Sequence, residues 1–201
     1  MLSSKARGAA RKSVRTAILD AARRLYFARG AGGVSARKIA QAAGCSATAL
    51  YLYYRNIDDL LEHLRMEGHA LLAGRLRGVD PALPAIEQVR AMGRAYFDFG
   101  VKHPHYYGLM FSLRSTETPR REAVQREMQT LMLLRDVVRR GMDRGEIRQD
   151  VDVMVATNAL WAQIHGLTAL AVSRLLMETA PGQQGEVLAA VLDGTTRWLA
   201  A

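Results

Sequence analysis

Apolar residues recur three and four positions apart over most of the chain, as at Ile18, Ala22 and Leu25 and again from Leu60 to Leu72. This spacing places them on one face of an α-helix. No stretch shows the sustained alternation of β-branched and aromatic residues that is typical of a strand, and all five prolines lie at or beyond Pro81. The sequence therefore predicts an all-α fold.

Glycine- and proline-containing breaks divide the chain into about nine predicted helices. Their predicted limits are residues 12–29, 35–42, 46–53, 57–77, 82–102, 104–113, 119–143, 150–176 and 184–200. The basic arm before residue 12 is expected to be disordered when free. We expect two domains, an N-terminal one over residues 1–56 and a C-terminal one over residues 57–201.

The positive charge of the chain is confined to its first quarter. Residues 1–55 hold eleven basic groups and one acid, whereas the other 146 residues hold 17 basic and 18 acidic groups. Such asymmetry is typical of a chain whose first part meets a polyanion. A basic face that is merely solvated remains the alternative at this point.

Two serines predict the start of two short helices separated by a turn. The Ser35 hydroxyl can cap a helix that carries Ile39, and Ser46 can cap a second one after the turn at Gly44. This arrangement indicates a helix-turn-helix DNA reader. The second helix is too short to be stable alone, so its inner side must pack on its neighbours. We expect that side to be Ala49, Leu50 and Tyr54, and the outward side to be Ala47, Thr48, Tyr51 and Leu52.

Side-chain chemistry predicts what the outward residues contact in DNA. Arg37 has the planar fork that reads a guanine edge, and Thr48 and Ala47 can contact a thymine methyl group. The hydroxyls of Tyr51 and Tyr53 can reach phosphate or base. Lys38 and Arg55 suit phosphate contacts, whereas Asn56, Asp58 and Asp59 are expected to cap the next helix. The predicted DNA-binding set is Ser35, Arg37, Lys38, Ser46, Ala47, Thr48, Tyr51, Leu52, Tyr53 and Arg55.

The same segment resembles a known family. Residues Gly33 to Leu61 read GVSARKIAQAAGCSATALYLYYRNIDDLL and resemble the DNA-binding domain of the tetracycline-repressor (TetR) family. The resemblance implies a helical homodimer that binds a palindromic operator and releases it when a small molecule enters the C-terminal domain. The chain departs from the family pattern at Ile57, where most members have lysine, and at Cys45, where valine is usual.

A second resemblance concerns the C-terminal part. Residues Ala95 to Phe111 (AYFDFGVKHPHYYGLMF) and Ala159 to Leu170 (ALWAQIHGLTAL) resemble the subfamily named for its Trp-His-Gly residues, here Trp161, His165 and Gly166. This resemblance implies a variant of the C-terminal fold. It identifies no effector.

Polar groups on an otherwise apolar helix predict a ligand pocket. Trp161 and His165 lie four residues apart, with Asn158 one turn earlier. The predicted pocket is lined by Tyr96, Phe97, Met110, Phe111, Met128, Asn158, Trp161 and His165. A hydrogen-bonded core histidine that fixes helix packing is the alternative reading of His165.

The segment 153–173 carries no formal charge, yet its Asn158, Gln163 and His165 argue against a membrane span. Small residues at regular intervals favour a helix buried against another helix. We expect helices 150–176 and 184–200 to form a dimer interface, the latter through Val187, Leu188, Val191, Leu192, Trp198 and Leu199. An ordinary core helix within one chain is the alternative.

Other function classes have little support. The chain lacks the nucleophile elbow, the phosphate-binding loop and the zinc-protease motif, and its histidines have no convergent metal-ligand spacing. We expect no metal, no cofactor and no catalysis, although an enzyme that uses His165 as a base is a distant rival. A closer rival is a non-specific architectural DNA-binding protein without an effector. The single Cys45 and the lack of a signal sequence favour a cytoplasmic protein.

Overall fold

The computed structural model describes residues 4–111, 121–177 and 182–200, and these ranges form nine α-helices and no strand. The all-α prediction is confirmed. The helices are α1 (Ser4–Arg29), α2 (Ala36–Ala43), α3 (Ala47–Tyr51), α4 (Ile57–Arg77), α5 (Ala85–Lys102), α6 (Pro104–Phe111), α7 (Arg121–Asp143), α8 (Val153–Val172) and α9 (Gln183–Leu199).

The start of α1 differs from the predicted limit by eight residues, and every other limit differs by four or fewer. The backbone of α1 is helical from Ser4, although the arm before residue 12 was expected to be disordered. Alanine and the long basic side chains of this arm have high helix propensity, and the arm continues a helix that is already nucleated. Helix α8 begins at Val153 rather than 150 because Asp152 caps it: its carboxylate accepts hydrogen bonds from the backbone N–H groups of Met154 and Val155.

The chain forms two compact units, Met1–Glu67 with Gly108–Thr118, and Gly68–Tyr107 with Pro119–Ala201. Helices α4 and α6 thus each contribute to both units, whereas the domain boundary expected from the sequence falls at the start of α4. We call them the N-terminal unit and the C-terminal unit.

The core of the N-terminal unit joins α1 to the helix-turn-helix. Its fully buried members come from every helix of the unit and are Ile18, Ala21, Ala22, Ile39, Leu50, Tyr54, Leu60, Leu64 and Leu109. The spacing of the α1 and α4 members follows the apolar pattern seen in the sequence. Burial of these side chains stabilises the short α2 and α3, which would not form alone.

In the C-terminal unit, α5 packs against α7, α8 and α9. The close approach of α5 to α8 requires a glycine, because a Cβ at Gly100 would lie 2.2 Å from Cγ2 of Thr168. The approach to α9 is similar: a Cβ at Gly93 would lie 2.5 Å from Cδ2 of Leu192. Glycine thus brings the helix axes close enough for the side chains of α5 and α8 to share one cluster.

Candidate functional site

The helix-turn-helix of the N-terminal unit is held by the two predicted caps. Ser35 Oγ accepts a hydrogen bond from the Lys38 backbone N–H at 3.4 Å, and Ser46 Oγ accepts one from that of Ala49 at 3.0 Å. Gly44 ends α2 with φ of 69°, a left-handed conformation that favours glycine. The turn between the two helices is therefore dictated by local sequence.

Helix α3 is shorter than predicted, Ala47–Tyr51 rather than 46–53. Ser46 is extended because it serves as the cap, and the chain turns at Leu52 so that Tyr54 reaches the core. The inner side is as expected: Leu50 and Tyr54 are buried and Ala49 is half-buried.

The outward side of α3 is also as expected. Ala47 and Thr48 are exposed, Tyr51 is 52% exposed and Leu52 is 73% exposed. Large apolar side chains are less stable in water than in contact with other apolar groups. An exposed Tyr51–Leu52 pair at a helix end is therefore typical of a binding surface. Contact of these residues with DNA stays a prediction.

The other predicted contacts lie in different surroundings. Arg37 and Lys38 are exposed on the first turn of α2, where their cations can reach a polyanion. Tyr53 is half-buried against the core, so less of its ring is available than predicted. The Arg55 guanidinium is exposed but lies 3.9 Å from the Asp59 carboxylate, which offsets part of its charge.

The segment after α3 is fixed by hydrogen bonds around the start of α4. Asn56 Oδ1 accepts from the Asp59 backbone N–H at 2.7 Å, and Asp59 Oδ2 accepts from the Arg55 backbone N–H at 2.9 Å. The structural role predicted for Asn56 and Asp59 is confirmed. Arg15 and His63 also contact this segment, and the sequence reasoning did not single them out, since their partners are 39 to 48 residues away.

The C-terminal unit brings four aromatic side chains together, which we call the aromatic cluster: Tyr96 of α5, Tyr107 of α6, and Trp161 and His165 of α8. His165 Nδ1 lies 2.9 Å from the hydroxyl of Tyr96 and 2.9 Å from that of Tyr107. Trp161 Nε1 donates to the Tyr96 hydroxyl at 3.3 Å, and the Tyr107 hydroxyl donates to the His165 carbonyl at 3.0 Å. The cluster thus ties three helices by polar contacts.

Burial favours the uncharged forms of the titratable side chains in this cluster. It raises the pKa of Tyr96 and of Tyr107 well above the ordinary tyrosine value, and it lowers the pKa of His165 below 6.5. The cluster therefore offers hydroxyl donors and a neutral imidazole. Such groups can fix the orientation of a polar ligand atom, and they can equally fix the helices by bonding one another.

Only part of the predicted pocket belongs to this cluster. Tyr96, Trp161 and His165 lie together as expected. Tyr107 was not predicted to join them, although the many aromatic residues around it in the sequence could have indicated its membership. Phe97 and Met110 are buried and Phe111 is half-buried, but Met110 and Phe111 belong to the N-terminal unit. Met128 is 43% exposed, and Asn158 lies on the exposed face of α8 with Val155 and Ala162. A ligand-pocket role for these two residues stays a prediction.

The pKa shift of His165 predicts a loss of stability in acid. Below about pH 6.5 the unfolded chain takes up a proton on this side chain before the folded chain does, so the free energy of unfolding falls as the pH falls. Urea unfolding at pH 7.5 and 5.5 should show a smaller decrease for His165→Gln than for the wild type. His105→Gln, at an exposed position, serves as the control and should keep the wild-type decrease. Equal decreases in all three would contradict the assignment.

A separate surface groove of about 320 Å³ lies where α7 ends and α8 begins. Its lining residues are Arg139, Met142, Asp143, Gln149, Val151, Asp152 and Val153, none of which belongs to the predicted pocket. Gln149 and Asp152 are engaged in holding the helix ends, through the Met142 carbonyl and the first turn of α8. The polar side chains of the groove therefore have a structural role in the turn between α7 and α8.

The described ranges offer neither a metal cluster nor a membrane-spanning helix. No three or more of the His, Cys, Asp and Glu side chains there are grouped so that they could hold a metal ion. Across those residues no helix combines the length and the apolar character needed to span a membrane, and this includes the uncharged α8.

Two family models match the chain. Residues 18–64, which include α2 and α3, match "Bacterial regulatory proteins, tetR family". Residues 89–195, more than half of the chain, match "Tetracyclin repressor-like, C-terminal domain". The Trp-His-Gly subfamily stays a prediction. Comparison with curated protein sequences gives no match.

Solved structures share the whole architecture. A protein of unknown function from Rhodococcus sp. RHA1 is 27% identical with a TM-score of 0.82, over 94% of this chain and 96% of that one. The TetR family transcriptional regulator PfmR from Thermus thermophilus is 22% identical with a TM-score of 0.69, over 92% and 99%. The transcriptional regulator FadR from Bacillus subtilis, in complex with stearoyl-CoA, is 20% identical with a TM-score of 0.71, over 92% and 98%. The last two show the fold.

Proposed function

Since this chain belongs to the tetracycline-repressor family and is a DNA-binding transcriptional regulator, we propose that it is a ligand-responsive repressor, active in the cytoplasm as a homodimer on a palindromic operator. The observation that carries the proposal is α3, which buries Leu50 and leaves Tyr51 exposed at its end, next to the exposed Leu52. The preceding helix α2 carries exposed cations on its first turn. An α-helix of this size fits the major groove of DNA, about 12 Å wide.

The net charge of the N-terminal quarter supports the same proposal. Cations that meet phosphates supply affinity without sequence preference, whereas the outward side of α3 can supply preference for particular bases. The architectural rival has only the first of these. Repression follows if the operator overlaps a promoter, because a bound dimer then excludes polymerase.

Selection of bound DNA from fragments of the source genome with the purified protein tests the proposal. We expect a palindrome whose half-sites lie one or more helical turns apart, at multiples of roughly 34–36 Å. Competition with random duplex should leave the complex with the palindrome largely intact. Equal affinity for the palindrome and for random DNA would favour the architectural rival and contradict the proposal.

The dimer is proposed through the exposed faces of α8 and α9. Ala162 and Gly166 of α8, and Ala190 and Gly194 of α9, are exposed and small, which permits close approach of another helix. Val155, Leu170 and Trp198 add exposed apolar area. Three residues that the sequence placed in this interface are not available for it. Leu188, Leu192 and Leu199 are buried within the chain itself, since their face of α9 packs on its own unit.

Ala162→Arg is expected to weaken the dimer, because the interface would then bury an unpaired cation. The cost is on the order of 3 kcal/mol, which raises the dissociation constant about a hundredfold. Light scattering of the purified protein over a dilution series measures it. Ala70→Arg, at an exposed position of α4, is the matched control and should keep the wild-type mass. A wild-type dimer with Ala162→Arg would place the interface elsewhere.

The effector site is proposed at the aromatic cluster. A small molecule that hydrogen-bonds to the Tyr96 or Tyr107 hydroxyl, or to His165, would exchange the internal contacts for its own and change how α5, α6 and α8 are tied together. It would weaken operator binding only if it favoured a dimer with a different spacing of the two α3 helices. Tyr107→Phe should then change the effector concentration that releases DNA and leave effector-free operator affinity unchanged.

A further inference from the structure

A group of side chains joins α1 and α4 to the segment that follows α3, the proposed DNA-reading helix. The Arg15 guanidinium of α1 lies over the ring of Tyr54, 5.7 Å from its centre. The Tyr54 hydroxyl donates to the Arg15 backbone carbonyl at 3.3 Å. Tyr54 follows the last residue of α3 by three positions and is fully buried. Arg15 therefore contacts Tyr54, the buried residue that fixes the chain just after α3, through both its side chain and its backbone carbonyl.

His63 of α4 completes this group, and its contacts define its protonation state. His63 Nδ1 lies 2.8 Å from the backbone carbonyl of Asp59, which can only accept, so Nδ1 carries the proton. His63 Nε2 lies 3.0 Å from Nη2 of Arg15, which can only donate, so Nε2 must be bare. Only the neutral ring makes both hydrogen bonds at once, because a protonated ring would keep the bond from Nδ1 and lose the acceptor at Nε2. The ring also packs edge-on against Tyr54, with 5.1 Å between centres.

We propose that His63 is a positioning residue for the DNA-reading segment and that it acts only in its neutral form. It orients Arg15 across Tyr54 and so holds α1 against the end of α3. A proton on Nε2 would remove the acceptor and set an imidazolium against a guanidinium. Operator affinity then falls in acid through this one contact. The inference rests on the operator binding proposed above.

The charged and titratable groups around His63 leave the loss of the Arg15 contact on protonation uncompensated. Arg15 faces it from α1, Tyr54 from the segment after α3, and Asp59 from α4 itself. The Asp59 carboxylate lies 4.0 Å from Nδ1 and 3.9 Å from Nη2 of Arg55, so it attracts a protonated ring while Arg15 repels it. Asp20 of α1 adds a negative charge near Tyr54. None of these groups restores an acceptor at Nε2.

The test compares operator affinity at pH 7.5 and pH 5.5, the range in which histidines take up a proton. The probe is the palindromic duplex recovered by selection, and the proteins are the full-length wild type, His63→Gln and His105→Gln. Glutamine keeps an acceptor for Arg15 and does not titrate. We expect the wild type and His105→Gln to lose about tenfold in affinity on acidification and His63→Gln to lose no more than about threefold. Equal losses in all three, or a wild-type affinity that rises in acid, would overturn the proposal.

Arg15→Gln distinguishes positioning from a general effect on folding. Without the guanidinium, acidification removes no contact, so Arg15→Gln should show the small loss of His63→Gln. The double variant should add nothing further, since the two residues act through one contact. Additive effects on the pH dependence would contradict a shared role.

A measurement without DNA separates this inference from the proposed function. The ¹⁵N shifts of the His63 ring in the full-length protein at pH 7.5 should show a protonated Nδ1 and a bare Nε2. The opposite tautomer, or averaging between the two, would overturn the inference even if the protein binds its operator. Failure to recover any preferred duplex, with the expected tautomer present, would instead contradict the proposed function.

Discussion

Arg37→Ala and Tyr51→Ala are each expected to abolish operator retardation under conditions in which the wild type binds fully. Loss of a good base contact costs about 1–3 kcal/mol, and a homodimer loses the contact in both half-sites, so the total is about 2–6 kcal/mol. Arg37 is exposed on α2 and Tyr51 is 52% exposed at the end of α3, so neither substitution opens the core. Mobility-shift titration against the selected palindrome measures the loss.

Two controls separate this loss from a loss of charge. Arg77→Ala removes a cation from an exposed position of α4 and should bind like the wild type. Random duplex should distinguish the roles, since loss of a base contact lowers affinity for the palindrome and much less for random DNA. Wild-type binding by Arg37→Ala or Tyr51→Ala would refute the base-reading role of that residue.

Leu50→Ala is expected to produce the largest loss of stability at α3, the proposed DNA-reading helix. Leu50 is 0% exposed and packs with Ile39, Tyr54 and Leu60, and removal of its side chain leaves a cavity that costs about 2–5 kcal/mol. The five-residue α3 has no other fully buried side chain, so it should detach first. Urea unfolding, with circular dichroism and operator titration on the same samples, measures both effects.

Leu52→Ala is the matched control for Leu50→Ala. The two leucines lie two residues apart, but Leu52 is 73% exposed, so its replacement should change the free energy of unfolding by no more than about 0.5 kcal/mol. Leu52→Ala should therefore affect operator binding alone. Similar stability losses for the two variants would mean that Leu50 is not the anchor of α3.

Local sequence was sufficient for most of the helix-turn-helix. A serine hydroxyl reaches the N–H groups three residues on, and Gly44 adopts positive φ without strain, so caps and turn depend only on neighbours in the chain. The inner and outer sides of α3 follow from the helical period. Each of these features depends on residues only a few positions apart, so each could be predicted from the sequence.

Features set by distant contacts were not found from the sequence. The membership of Tyr107 in the aromatic cluster depends on α6 meeting α8, 58 residues away in sequence. The exposure of Asn158 depends on which face of the evenly apolar α8 turns toward α5, and a helix that is apolar on most sides does not specify its rotation. The contact of His63 with Arg15 joins residues 48 apart.

The amino-acid order by itself determined the helical class, the caps of the reading motif, the position of its turn and the concentration of cations in the first quarter, because each is a property of adjacent residues or of simple counting. Only the tertiary structure decided which of the apolar residues of α8 and α9 are buried in the chain's own core, which polar side chains meet around His165, and which groups lie beside the two ring nitrogens of His63. Those outcomes depend on how the helices pack. Two faces of a helix can be equally apolar in sequence, and a glycine or a hydrogen-bond acceptor on a distant helix then decides which face is buried.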